Sequence, residues 1–466
     1  MTLNSIDILL IAVYFALILY IGFVIAKRKK NESSLEDFIL AGRKLTLPIF
    51  VATLVATWYG SILGVGEFAY NDGIVAWLCF SLPYYLAGAI FGAFFAKKIR
   101  ISNVKTIPEL ITNNYGNKAG RISSVIVLII TIPASYLLML GVIVQIFSGW
   151  DLWICVIFGA IVSLSYLYTG GFKADVLTNT AQFFLMYIGF AALLFYAMSS
   201  FGGLGEMLSN LPETHKSAPG NHSWQYILMW YIIAFQTFID PSFHQRAAAA
   251  KTAKTAQRGV LISVLCWLLF DTLTILCALY ARAYIDISDP IMTYPLLAEQ
   301  ILPHFWKGIF LIALLAAIMS TLDSYSFISS VTIGNDLLHP FFKKRNIFQH
   351  LSVQKLTQIG LVITAVFSII GAVILPSVID LIYKTASIAI PGLIIPVLLT
   401  FTKKYRISGK KIVQMILLSS STSFFWIILA IFSKKTSIFV TLEPMLPGLF
   451  VSILFAVFFI RKNEMA

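Results

Sequence analysis

Apolar runs of about twenty residues recur from one end of the chain to the other, beginning with IDILLIAVYFALILYIGFVIA at 6–26. A run of that length crosses the hydrocarbon core of a bilayer as a helix, because only internal backbone hydrogen bonding is tolerated there. Thirteen such spans are expected, at 6–26, 46–70, 75–96, 122–148, 151–169, 177–200, 224–242, 258–282, 305–334, 354–374, 377–402, 411–432 and 443–460. The charged fraction of 12% over 466 residues is about half that of a soluble domain, which fits an all-α polytopic membrane protein. The first run is too long for the apolar core of a signal peptide, has no small-residue cleavage site after it, and reads as a retained span.

A net charge of +13 suggests nucleic acid until the charges are located. Of the 34 Lys and Arg, 28 fall in loops on one side of the expected topology, five on the other, and Lys384 inside a span. Positive loops stay cytoplasmic, so the N-terminus is expected outside and the C-terminus inside. The membrane accounts for the charge, and no nucleic-acid partner is expected. Cys79, Cys155, Cys266 and Cys277 all lie in apolar runs and read as small buried hydrophobes. No nucleophile–base or metal-ligand set suggests an enzyme, and no organic cofactor is expected.

Three spans are not plain hydrocarbon. The second contains ATWYGSILGVGEFAY (56–70), with three glycines and Glu67; the seventh ends AFQTFIDPSFHQR (234–246), with Gln236, Asp240 and Pro241. Glycine and proline open a helix, and the freed carbonyls persist in a membrane only where protein or a wet cavity satisfies them. The ninth span carries AAIMSTLDSYS (316–326). Ser320 and Thr321 lie about 100° apart around a helix, with the Ala317 carbonyl one turn earlier, which brings three neutral oxygens together. Neutral oxygens suit a monovalent cation that must leave again. The competing reading is that the hydroxyls bond back to carbonyls of the preceding turn or glue helices together. Asp323 is a carboxylate inside a span, expensive there and either functional or a structural partner. Glu67 and Lys384 are candidates on the same ground. Trp58, Tyr59, Tyr84, Tyr85, Trp230 and Tyr231 line an aromatic pocket or pack and anchor the helices.

The chain resembles the sodium:solute symporters, which include proline and pantothenate permeases and sodium–glucose cotransporters. DFILAGRKL (37–45), ATWYG (56–60) with LGVGEFAY (63–70), YTGGFKADVLTNTAQ (168–182), QRAAAAKTAKTAQRG (245–259) and AAIMSTLDS (316–324) match family patterns in order. The resemblance implies two inverted five-helix repeats, the second to sixth and seventh to eleventh spans, at 31–200 and 201–404, flanked by 1–30 and 405–466. It implies a sodium site built from the carbonyls of Ala56, Tyr59 and Ala317 and the hydroxyls of Ser320 and Thr321. The stretch 57–70 is shorter than the family pattern, which leaves the register of 56–60 open. The family has aspartate where this chain has Asn179, a position associated with sodium release. Trp58, Glu67, Gln236 and Asp240 are the candidates for contacting substrate, and Asn179, Asp323 and Lys384 for coupling or gating.

The expected function is Na⁺-coupled import of a small organic solute, such as an amino acid, an organic acid or a vitamin-like molecule, by alternating access. The protein is expected in the cytoplasmic membrane, in contact with lipid. A proton-coupled transporter of the same fold, with Asp323 or Glu67 as carrier, is the first alternative. The second is a solute sensor without net transport, disfavoured by a chain that ends at RKNEMA with no kinase.

Overall fold

The computed structural model describes residues 2–26, 35–374, 378–402, 404–434 and 437–462. The basic cluster 27–30, Lys403 and Lys435 lie outside the described residues. Nine described helices are long and apolar enough to cross a membrane by themselves. Each of the thirteen expected ranges contains helix where described, and the two numbers differ for definite reasons. The fifth and sixth spans are one unbroken helical assignment, Leu152–Phe201, kinked at Gly171. The second and seventh spans are each split into halves, and the last helix, Met445–Phe459, is short.

Eight elements position the site. They are α1 (Leu47–Ala56), α2 (Ile62–Asp72), α3 (Leu152–Phe201), α4 (Trp224–Ile233), α5 (Pro241–Ala249), α6 (Ala253–Tyr284), α7 (Trp306–Val331) and α8 (Val378–Thr400). α1 and α2 are the halves of one broken helix. α4 and α5 are the halves of another, joined by the 3₁₀ turn Ala234–Phe238. Each broken helix opens one of the two expected repeats, as discontinuous helices do in transporters of this architecture.

The sequence gives each break a local cause. Pro241 occupies the first turn of α5, where a missing amide hydrogen costs nothing, and the Asp240 carboxylate caps that turn by accepting from the Ser242 amide at 2.7 Å. In the other break, Gly60 is required by packing. A Cβ there would lie 2.6 Å from the Thr321 Cβ and 2.7 Å from the Tyr136 ring. The α3 kink also needs its glycine, because Gly171 has φ +57 and an added Cβ would meet the Phe38 ring at 2.6 Å.

The start of α1 and the end of α5 lie on one face. Leu45 donates to the Ala249 carbonyl at 3.2 Å and accepts from the Lys251 amide at 2.9 Å. Arg43 donates to the Ala248 and Asn103 carbonyls, and Arg100 to the Ala250 carbonyl at 2.6 Å. Basic side chains thus cap the last carbonyls of α5, where the helix end is negative. This is the face with the basic loops. α2 ends on the opposite face, where the Ile74 amide donates to the His215 carbonyl of the 201–223 connection at 3.0 Å. That connection contains the short helices Leu204–Asn210 and Glu213–Lys216. α7 runs through the middle of the bundle and is almost wholly enclosed by protein.

Candidate functional site

A helix that stops at Ala56 leaves carbonyls whose usual amide donors have turned away. Two of them, on Ala56 and Thr57, point at α7. The Ser320 hydroxyl donates to the Ala56 carbonyl at 2.7 Å and lies 2.9 Å from the Ala317 carbonyl. The Thr321 hydroxyl donates to the Thr57 carbonyl at 2.8 Å and lies 3.4 Å from the Ala317 carbonyl. All these residues are buried. Five oxygens without formal charge therefore converge where the broken helix crosses α7, a donor set that suits a small hard cation. The Tyr59 carbonyl is not among those five. It accepts from the Ile62 amide at 3.1 Å at the start of α2, while the Tyr59 hydroxyl reaches Asp271. The Thr57 carbonyl, which sequence reasoning passed over, stands at the crossing instead.

One turn further along α7 the chemistry changes. Ser324 shares a face with Ser320 and Thr321 and donates to the Asp175 carboxylate at 2.5 Å. The Arg246 guanidinium donates to the Thr57 hydroxyl at 2.6 Å, to Ser324 at 2.8 Å and to Thr53 at 3.1 Å, and lies 3.3 Å from the Asp175 carboxylate. Asn179 Nδ2 faces the same oxygens, 3.0 Å from Ser324 and 3.1 Å from Asp175. Asp175 and Arg246 are both fully buried. Arg246, counted among the basic loop charges, is in fact an interior residue. Asp175 stands one helical turn before Asn179 and brings a carboxylate to a cluster where the family pattern has one at the position of Asn179.

Asp323 points elsewhere. It accepts hydrogen bonds from the Ser163 and Tyr166 hydroxyls on the part of α3 before the kink. Neighbouring residues of α7 thus hold the two segments of α3, Asp323 before Gly171 and Ser324 after it.

A cavity of about 140 Å³ opens beside the neutral oxygens. It is lined by the break residues Thr57, Trp58, Tyr59 and Ser61, and by α2 and α4, the halves that run to the 201–223 face. Trp58, Gln236 and Asp240 of the predicted substrate set face it. Glu67, half-buried on α2, does not, and neither does Lys384, exposed on α8. Tyr59, Tyr84 and Trp230 also line it, whereas Tyr85 and Tyr231 do not; the Tyr85 hydroxyl donates to Asp271 at 2.5 Å. Asp271, Tyr136 and Tyr325 are lining residues that sequence reasoning missed. Asp271 carried a signal, since it is a carboxylate inside the eighth span.

The sodium:solute symporter family matches residues 38–416. The chain belongs to that family. Among its relatives, the sodium/glucose cotransporter of Vibrio parahaemolyticus is 26% identical over 80% of this chain and 75% of its own. The sodium/pantothenate symporter of Haemophilus influenzae is 27% identical over 70% and 72%. The high-affinity choline transporter 1 of Drosophila melanogaster is 23% identical over 81% of this chain, which spans 63% of that relative's length. Among solved structures, a Na⁺-coupled sialic acid symporter in a substrate-bound outward-open state superposes over 99% of both chains with a TM-score of 0.76 at 15% identity. A nucleobase-cation-symport-1 family transporter superposes over 90% of this chain and 94% of its own, with a TM-score of 0.58 at 11% identity. These relatives are membrane transporters and not enzymes, and the inverted-repeat helical fold of this family member is the one they share.

Proposed function

We propose that the chain is a sodium-coupled symporter that imports a small organic solute across the cytoplasmic membrane. One observation carries the reading: the Ser320 and Thr321 hydroxyls meet the freed Ala56 and Thr57 carbonyls beside the Ala317 carbonyl. In the arrangement described, the two hydroxyl protons satisfy those carbonyls. A cation arriving at the crossing would displace those hydrogen bonds and take the hydroxyl lone pairs and the carbonyls together.

Sodium at this crossing would fix α1 against α7, and the adjoining residues Trp58 and Tyr59 line the cavity. Ion and solute would then stabilise the same conformation, each raising the affinity of the other by one reciprocal factor. Rocking of the repeats about the crossing would expose both ligands to the second side. The basic face is assigned to the cytoplasm by its charge, with the N-terminus outside and the C-terminus inside. The cavity is lined by α2 and α4, the halves that run to the 201–223 face, while Leu45, Arg43 and Arg100 tie down the opposite end of α5. Each sodium ion entering with the solute would add about 2.3 kcal/mol per 100 mV of membrane potential.

Thermal unfolding of the purified full chain in Na⁺ and in K⁺, at equal ionic strength, tests the proposal. Sodium at a hundredfold excess over its dissociation constant is expected to add about 2.7 kcal/mol, and potassium far less. Ser320→Ala with Thr321→Ala is expected to raise the sodium half-saturation at least tenfold, about 1.4 kcal/mol. A double variant that folds and keeps its sodium response would refute the site.

A further inference from the structure

The cavity beside the sodium crossing has a chemical character of its own, and naming its solute rests on the symport reading above. Its walls are aromatic. Trp58 stands edge-on to Tyr84 at 5.0 Å between ring centroids, and Tyr136 to Tyr325 at 5.5 Å; Trp230 lies beside Phe80 in the lining at 4.3 Å.

Two carboxylates face this box, and no Lys or Arg lines it among the described residues. Asp240 takes the Ser242 amide on one oxygen and the Tyr325 hydroxyl at 2.6 Å on the other. Asp271 takes the Tyr59 hydroxyl at 2.8 Å and the Tyr85 hydroxyl at 2.5 Å. The Tyr59 and Tyr325 phenols are committed to the protein's own carboxylates, while the Tyr383 hydroxyl, also in the lining, has no hydrogen-bond partner among the described residues. The Arg246 guanidinium is turned away into the Asp175 cluster. A buried anion in such a box would meet two like charges and no Lys or Arg in the lining, whereas a cation would meet aromatic faces and negative charge together.

We infer that the solute carries an alkylated ammonium group, held between the Trp58, Tyr84, Tyr136 and Trp230 rings with Asp240 and Asp271 as its counter-charges. The aromatic faces supply attraction to a cation whose methyl groups cannot donate hydrogen bonds. The carboxylates set the sign of the field without needing direct contact. A second consequence concerns the ion. Sodium and a cationic solute repel, so the neutral oxygens at the crossing and the two carboxylates of the cavity divide the charge between them.

Isothermal titration calorimetry on the purified full chain tests this, with choline, tetramethylammonium and an alkyl primary amine as cationic probes, glucose and pantothenate as comparators, and Na⁺ or K⁺ as background. At least one cationic probe is expected to bind saturably in Na⁺, with affinity at least tenfold lower in K⁺. Trp58→Ala and Asp240→Asn are each expected to weaken that binding at least tenfold, and Trp58→Phe, which keeps an aromatic face, less than threefold. Binding of glucose or pantothenate with no response to any cation overturns the inference. A protein stabilised by Na⁺ that binds none of the cations also overturns it while leaving sodium coupling intact. Cation binding of equal strength in Na⁺ and K⁺ leaves the pocket standing and removes the coupling. Should Asp240→Asn fail to fold, the Trp58→Ala and Trp58→Phe pair carries the same test.

Discussion

The crossing of Ala56, Thr57, Ala317, Ser320 and Thr321 contains no formal charge, whereas the cluster one turn along α7 holds Asp175 and Arg246, both with no exposed side-chain surface. Thr57 belongs to both. Its carbonyl accepts from Thr321 on one side, and its hydroxyl accepts from Arg246 on the other. The two clusters have similar hydroxyls, so the ligands alone do not distinguish them. The difference is whether the protein supplies its own cation. Where Arg246 already sits among the oxygens, hydroxyls and carboxylate are used up in holding it. Where no resident cation exists, the same oxygen types remain available to an ion from solution.

The largest expected effect breaks the charged cluster. Asp175→Ala or Arg246→Ala leaves one buried charge without its partner and is expected to cost about 3–5 kcal/mol of stability. The double variant is expected to be more stable than either single one, since it removes both charges. Thermal or denaturant unfolding of the three variants checks this, and a double variant weaker than both singles contradicts the pairing. Sodium affinity is a separate readout, because the neutral oxygens are untouched.

Next in size is Gly60→Ala, which acts on the neutral crossing and on the Tyr136 ring of the cavity wall, and not on the charged cluster. The added Cβ would sit 2.6 Å from the Thr321 Cβ, so α1 and α7 must part. Overpacking of this kind costs about 1–3 kcal/mol. The sodium half-saturation is expected to rise with it, since the two sides of the crossing move apart. A variant that loses stability but keeps its sodium response would show that the crossing tolerates separation and is not the ion site.

Asn179→Asp would make the charged cluster resemble an ion site more closely. It places a second carboxylate beside Asp175 around a single guanidinium, where like charges are unfavourable. About 1–2 kcal/mol of stability is expected to be lost in potassium, and sodium is expected to restore part of it. The informative background is Ser320→Ala with Thr321→Ala. A sodium response that returns there on adding Asn179→Asp would show that the resident cation, and not the ligand type, separates the two clusters.

The sequence made the fold readable because a bilayer forces apolar runs and positive loops into view, and the breaks at Gly60 and Pro241 stand out against hydrocarbon. Spacing also put the oxygens of Ala317, Ser320 and Thr321 together on one helix, but only the family resemblance pointed to sodium, since spacing alone left back-bonded hydroxyls equally open. Which carbonyl of 56–60 joins them did not follow. That depends on how a non-helical turn rotates each peptide, and the turn presents Thr57 where Tyr59 was expected. Arg246 was hidden for a different reason. It stands in the chain among basic loop residues, and only the inward path of α5 carries its guanidinium to Asp175. Asp271 lay in plain sight in an apolar run, and its role emerged only once Tyr59 and Tyr85 were seen to converge on it.

The smallest expected effect concerns Asp323, which takes part in neither cluster. Its oxygens accept from Ser163 and Tyr166, and it forms no ion pair among the described residues. Asp323→Asn removes a buried charge while keeping the shape of the side chain. One of the Ser163 and Tyr166 hydroxyls can turn to accept from the new amide NH2 while the other goes on donating to its oxygen. The stability change is therefore expected to stay below about 1 kcal/mol, because the lost charge-assisted hydrogen bonds are offset by the desolvation cost that is no longer incurred. Sodium half-saturation is expected to move less than twofold, since Ser320 and Thr321 keep their carbonyl partners. Uptake of the solute measured against pH at fixed sodium gives the sharper reading. A carboxylate that only holds α7 to α3 leaves the pH profile of uptake unchanged on conversion to the amide. One that carries a proton through the cycle abolishes the pH dependence and leaves the sodium term small, and that outcome would move ion coupling from the neutral crossing to α3.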